Sequence, residues 1–268
     1  MSLYEVIFLG IVQGITEWLP ISSEGLITYI ASLGLGQTYR EAVSLAIWLH
    51  LGTACAALFS FYRYILKILK DFVKTSAGLS DLSLLLIAVL SSGIVGFPLL
   101  VLVREVQIST GMGDMTMIII GIFTIISGFI QRSHWITAPK IIKGQPSIAD
   151  ALYVGIAQGL AVVPGLSRSG LTVTVLLLRG IEQRRALTFS YVMSIPVAVA
   201  AAGYIGITDG LFLSSANIIS GVVAFIFGLS TIRIVLVLAT RVNVSKLLIV
   251  IGFVMVLTAI PFLLAGIS

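Results

Sequence analysis

Six runs of about 20 residues each, almost free of charge, constrain this chain more than any other feature. They cover 43–62, 82–103, 115–131, 186–208, 214–238 (interrupted only by Arg233) and 247–266. A helix needs roughly 20 apolar residues to cross a hydrocarbon core about 30 Å thick, and lipid admits only segments that satisfy their own backbone hydrogen bonds. Six such runs predict six full transmembrane helices. Only 10% of the 268 residues are charged, against about 25% in a soluble domain, so the chain lacks the polar side chains for a water-facing surface. The same scarcity excludes a disordered chain, a coiled coil and a nucleic-acid-binding domain.

Two further apolar regions, 3–35 and 148–178, are broken near the middle by proline, serine and charge. The first break reads Glu17-Trp-Leu-Pro-Ile-Ser-Ser-Glu24 and the second Pro164-Gly-Leu-Ser-Arg-Ser169. On either side remain half-length helices, too short to span. Non-helical backbone at such depth survives only when buried in protein or lining a cavity, so both regions are expected to be re-entrant helix hairpins. The fold class is then an all-α integral membrane protein with ten helical segments: six spans and two hairpins.

The hairpins are also an internal repeat. Setting residues 8–28 on 153–173, a shift of 145, gives seven identities in 21 positions, among them Gly10/Gly155, Gln13/Gln158, Gly14/Gly159, Ser22/Ser167 and Gly25/Gly170. Each copy is one hairpin followed by three spans. Three is odd, so the second copy starts on the opposite side of the membrane, the plan of an inverted repeat. The whole of 1–268 is one membrane domain, with repeats at about 1–131 and 146–268 and a linker at 132–145.

Loop charges orient this topology. Arg63, Lys67, Lys70, Lys74, Arg132, Lys140, Lys143, Arg179, Arg184, Arg185, Arg241 and Lys246 fall on one side, and only Arg40 and Arg104 on the other. By the positive-inside rule the first side is cytoplasmic and both termini are extracytoplasmic. Arg63, Lys67, Lys70 and Lys74 share one face, expected to form a basic helix on anionic membrane lipid. The single cysteine, Cys55, reads as a small lipid-buried or core residue. The N-terminus lacks the basic start of a cleaved secretory signal.

Four charged side chains remain deep in apolar sequence: Glu17, Glu24, Arg168 and Arg233. Charges there are costly and usually face a cavity or a partner. Arg233, near the end of its span, is expected to snorkel; the other three lie at the breaks. At each break a serine stands where it can cap the next helix: Ser22 or Ser23 in the first, Ser167 or Ser169 in the second. Two helix N-termini beside a guanidinium suit a phosphate group. Capping alone would also explain a single serine. Glu17 and Glu24 would repel phosphate unless protonated or bridged to it by a hard divalent cation, Mg2+ or Ca2+, with Gln13 one turn before Glu17 as a neutral oxygen donor. A simple Glu17–Arg168 ion pair is the alternative.

These residues resemble a known family. Gln13-Gly-Ile-Thr-Glu17 with the pair Ser22-Ser23 is similar to the E/Q-x-x-x-E segment and serine pair of the undecaprenyl-diphosphatase family, the bacitracin-resistance type. Pro164-Gly-Leu-Ser167-Arg168-Ser169-Gly-Leu-Thr172 is similar to its P-G-x-S-R-S-x-x-T motif, and Trp48-Leu-His50-Leu-Gly52-Thr53 resembles a further segment. The resemblance implies hydrolysis of a polyprenyl diphosphate to the monophosphate, dependent on a divalent metal, in a site open to the outer face. It implies that Arg168 clamps the diphosphate with Ser22, Ser167, Ser169 and Thr172, that Glu17 and Gln13 hold the metal or position water, and that Ser23 is the candidate nucleophile, with water as the other. The partners are then the polyprenyl lipid and membrane lipids, with a homodimer left open. The chain departs from the family at Leu26, where members commonly carry a histidine. Glu24 and His50 are the candidates to replace that proton carrier. The competing reading is a polyprenyl-phosphate flippase or a non-hydrolytic binder, which inverted repeats also suit.

Overall fold

The computed structural model describes residues 1–19, 22–74, 81–105, 145–163, 165–209 and 214–238, together with scattered positions within 118–132 and 246–260. Pro20, Ile21 and Pro164, most of the third and sixth runs, and most of the linker with His134 lie outside them. The elements are α1 (Leu3–Thr16), α2 (Ser23–Tyr29) with a π-helical turn over Ile30–Gly34, α3 (Tyr39–Lys74), α4 (Asp81–Glu105), α5 (Ile148–Leu160), α6 (Arg168–Leu178), α7 (Gln183–Thr208) and α8 (Ser215–Leu238). Among the described residues the architecture is all-helical, and α3, α4, α7 and α8 are long and apolar enough to cross a membrane. These four fall on four of the six expected runs. Apolar side chains such as Leu90, Ile94 and Phe97 on α4 and Ile218, Val222 and Ile226 on α8 face outward, an exterior suited to lipid rather than water.

The two broken segments start and stop by the same local chemistry. Ser2 caps α1 and Ser147 caps α5, and each closes a capping box with the acid three residues on, Glu5 or Asp150. The 145-residue shift relates both pairs. After the breaks, Ser22 caps α2 by accepting from the Gly25 N–H at 3.1 Å, and Ser167 caps α6 by accepting from the Gly170 N–H at 3.1 Å. This decides between the serines left open by the sequence. Arg179, just past α6, pairs with Asp150 in the first turn of α5, so the second broken segment folds back on itself.

Each broken segment packs on a long helix from the other half of the chain. A Cβ on Gly14 of α1 would lie 2.6 Å from the Phe227 Cβ and 2.7 Å from the Gly228 N of α8; a Cβ on Gly159 of α5 would lie 2.7 Å from the Val95 Cβ and 3.0 Å from the Gly96 N of α4. Gly14 and Gly159, equivalent in the repeat, thus each meet an apolar residue followed by a glycine, Phe227-Gly228 in α8 and Val95-Gly96 in α4. Such approach is open only to glycine. Gly121 and Gly252, in the otherwise sparsely described runs, also face each other.

One feature differs from expectation. The basic stretch is not a separate surface helix but the continuation of α3, whose 36 residues extend about 54 Å. No glycine or proline stands between Tyr62 and Lys74 to break it, and leucine and lysine favour its propagation. Cys55 on this helix is exposed at the protein surface, as is Arg233 on α8.

Polar ties gather at the helix ends. Beyond α7, Asp209 accepts from the Ser44 hydroxyl at 2.6 Å and from Arg104. Burial pushes its carboxyl up, but the bonds from Ser44 and Arg104 outweigh this and hold it below the ordinary value. At the opposite ends of α3, α4 and α7, Asp81 accepts from Tyr64 at 3.2 Å and Arg185 at 2.6 Å.

Candidate active site

Glu17 is the hub. It is 4% exposed and sits at the C-terminal end of α1, one turn beyond Gln13, whose Nε2 donates to Oε2 at 2.7 Å. With Ser22 as the cap of α2, Ser23 falls in the first turn, and its hydroxyl donates to the same Oε2 at 2.8 Å. His50 approaches from α3 with Nε2 3.2 Å from Oε2, while its Nδ1 lies 2.7 Å from the Ala46 carbonyl. That carbonyl can only accept, so Nδ1 carries the hydrogen of this contact and Nε2 is the ring nitrogen turned to Glu17. The second carboxylate oxygen, Oε1, accepts from Arg168 Nη2. The arrangement meets the geometric requirement for an activated nucleophile: a hydroxyl bonded to a base that other groups orient.

Ser23 and Arg168 are 145 positions apart, so the shift that aligns the repeats also superposes them. Each follows its cap serine and each reaches Glu17. The breaks are tied together elsewhere as well. The Gly165 N–H donates to the Ser22 hydroxyl oxygen at 3.1 Å, Ser169 donates to the Leu19 carbonyl at 2.8 Å, and Tyr191 donates to the Trp18 carbonyl at 2.7 Å. Gly165 has φ 99°, a backbone conformation that favours glycine. The Trp18 and Tyr191 rings meet edge to face, 5.1 Å between centroids.

The residues expected from the sequence thus divide into two groups. Gln13, Glu17, Ser23, His50 and Arg168 form one contact network. The hydroxyls of Ser22, Ser167, Ser169 and Thr172 bond to the protein itself: the first two accept backbone N–H groups, Ser169 bonds to Leu19, and Thr172 bonds to the Arg168 carbonyl at 2.8 Å and to Ser190 at 2.6 Å. Beside the network lies a cavity of about 80 Å3 lined by Glu24, His50, Gln158, Arg168 and Ser194, with an apolar wall that includes Ile47, Leu100, Val162 and Ala201. Glu24 therefore belongs to the cavity rather than to the Glu17 hydrogen-bond set.

Four buried polar atoms here have no protein hydrogen-bond partner: Gln13 Oε1, Glu24 Oε1, Gln158 Oε1 and Arg168 Nη1. Orphaned polar atoms are costly unless a ligand or water meets them. Among the described residues no three His, Cys, Asp or Glu side chains cluster as a complete metal cage. A hard divalent cation does not need one, because it takes one or two carboxylates and a neutral oxygen and completes its shell with water and phosphate oxygens. Gln13 Oε1 beside Glu17 suits that donor set.

Sequence reasoning passed over Gln158, Tyr191 and Ser194. Only Gln158 carried a signal, its identity with Gln13 in the repeat; the other two reach the site from α7 by tertiary packing alone.

A multi-pass chain of apolar helices with a polar network sealed at two helix breaks is a membrane protein with a buried site. The model of the family described as "Bacitracin resistance protein BacA" matches residues 6–263, and the chain belongs to that family. It is 39% identical over 267 residues to a Methanococcoides burtonii protein named undecaprenyl-diphosphatase, covering 96% of this chain and 98% of that protein. Proteins of the same name from Methanothrix thermoacetophila and Pyrobaculum islandicum are 35% and 31% identical, covering 97% and 94% of this chain and 99% and 94% of theirs.

Proposed function

We propose that this chain is a polyprenyl-diphosphate phosphatase that hydrolyses an undecaprenyl-type diphosphate to the monophosphate and inorganic phosphate, recycling the lipid carrier of envelope glycan synthesis. The observation that carries the reading is the hydrogen bond from Ser23 to Glu17, with Arg168 on the other carboxylate oxygen. Family membership and the relatives' names support the choice of substrate.

In this mechanism Arg168 turns its planar guanidinium to the terminal phosphate, using the unpartnered Nη1. Ser23 Oγ attacks the terminal phosphorus and its proton passes to Glu17. The bond from that phosphorus to the bridging oxygen breaks, and its electron pair leaves with the prenyl monophosphate. Gln13 and His50 hold the carboxylate in place, and His50 takes over the proton-carrying task of the histidine missing at Leu26. A second attack, by water, frees inorganic phosphate. Gln13 Oε1 and Glu17 would hold the Mg2+ or Ca2+ ion, with Glu24 nearby; such an ion supplies charge neutralisation between carboxylates and phosphate. Ser22, Ser167, Ser169 and Thr172 keep the two helix N-termini aimed at the anion.

The fold belongs to the same proposal: six spans and two re-entrant hairpins, with inverted repeats at about 1–131 and 146–268 joined by the 132–145 linker. Matched capping boxes and matched glycine crossings support it. With the basic loops cytoplasmic, both termini are extracytoplasmic. The cavity residues Ile47 and Leu100 lie near Ser44 and Arg104, so the site opens toward the outer face.

The test is phosphate release from polyprenyl diphosphate by purified protein, with and without Mg2+ or Ca2+. Metal-dependent release is the expected result. No release, together with movement of polyprenyl phosphate across liposome membranes, would replace the enzyme by a flippase.

A further inference from the structure

Gln13 and Gln158 occupy equivalent positions in the two repeats, yet their amides meet different neighbours. One turn after Gln13 stands Glu17, which takes the Gln13 Nε2 hydrogen bond at 2.7 Å. One turn after Gln158 stands Val162, which offers nothing polar. Gln158 instead donates its Nε2 to the Ser92 hydroxyl of α4 at 3.3 Å. This contact ties the amide to α4. The residue is 3% exposed and lines the cavity with Glu24 and Arg168.

Each of these three residues carries one buried atom without a protein partner: Gln158 Oε1 and Glu24 Oε1, both acceptors, and Arg168 Nη1, a donor. Two acceptors and one donor match three of the four hydrogen-bonding directions of a single water. Its two hydrogens would go to the oxygens, one lone pair would accept one of the two Arg168 Nη1 hydrogens while the other stays on the phosphate, and the second lone pair would remain for attack. A buried water ordinarily needs two to four polar partners and about 10–15 Å3, and a cavity of about 80 Å3 has room for it beside a phosphate oxygen.

We propose that Gln158 is a positioning residue that, with Glu24 and Arg168, seats the water of the second hydrolytic step. The inference rests on the proposed function, because it concerns the phosphoserine that Ser23 forms. In that step the water oxygen bonds to phosphorus and passes a proton to Glu24. The phosphorus–Oγ bond breaks, and Oγ takes back the proton left on Glu17 by the first attack. The products are Ser23 and inorganic phosphate, and Glu24 then gives its proton to solvent water.

The test compares Gln158→Leu with wild type in detergent, using polyprenyl diphosphate labelled on the terminal phosphate. The expected kcat falls about 10- to 100-fold, equivalent to one or two hydrogen bonds at 1.4 kcal/mol per decade, while KM stays within about twofold. Acid-quenched samples should hold several-fold more phosphoserine, and added methanol should compete better with water as acceptor. A purely structural defect would lower binding and phosphoserine together. Should Gln158→Leu fail to fold, Ser92→Ala, which only frees the amide to turn, should still raise the phosphoserine level and the methanol share. Unchanged kcat and partition in either folded variant, or parallel loss of phosphoserine and turnover, would overturn the seat alone. Absence of phosphate release from the wild type would overturn the proposed function itself.

Discussion

The two helix breaks are built alike and used differently. Both follow a capped half-helix, both restart at a serine cap, and both place the next residue against Glu17. In the first break that residue is Ser23; in the second it is Arg168. The first break also holds Gln13, Glu17 and Glu24, while Val162 stands where the second would have its carboxylate. On the proposed reading, the first break supplies the nucleophile and base and the second supplies the phosphate clamp. In the same reading, duplication would account for the matched backbone, and divergence at three or four positions for the difference in chemistry.

The largest effect should come from breaking the contact that joins the halves. Glu17→Gln and Arg168→Gln should each lower phosphate release by about 10²- to 10⁴-fold, the range for loss of a general base or its electrostatic partner. The double variant should be scarcely worse than either, because groups that act as a unit are non-additive. Multiplicative losses would mean that the breaks work independently.

A second comparison concerns the scaffold. Gly14→Ala and Gly159→Ala force the same kind of overlap with α8 and α4, so each should destabilise the protein by about 1–3 kcal/mol, read as a lower midpoint of thermal unfolding in detergent. Losses that differ by more than about 1 kcal/mol would show that the two crossings are not equivalent.

The smallest effect distinguishes the caps. Ser167 accepts one N–H and Ser22 accepts two, the second from Gly165 across the breaks. Loss of a cap costs about 1 kcal/mol and loss of a second buried bond about as much again. Ser22→Ala should therefore be about twice as damaging as Ser167→Ala in the same unfolding assay.

Much of this was legible in the sequence because it is local. Charge-free runs marked α4, α7 and α8 to within a few residues, proline and serine marked the breaks, and the 145-residue shift matched Ser22 with Ser167 before either was seen as a cap. Glu17, Ser23 and Arg168 stood out because charge and hydroxyl are rare at such depth. What the sequence hid depends on distant pairing: Tyr191 on Trp18, Ser92 on Gln158, Asp209 on Arg104. No spacing rule links residues separated by 66 to 173 positions. The full length of α3 was missed for a different reason, since charge ends a membrane span without ending a helix.

The central claim is that Ser23, activated by Glu17, attacks a phosphate held by Arg168. It is tested most directly by incubating purified protein with polyprenyl diphosphate labelled on the terminal phosphate, quenching in acid and mapping the label. The account predicts phosphoserine at Ser23 in the wild type and none in Ser23→Ala, which should also lose phosphate release. Full turnover by Ser23→Ala, or label on another residue, would contradict it.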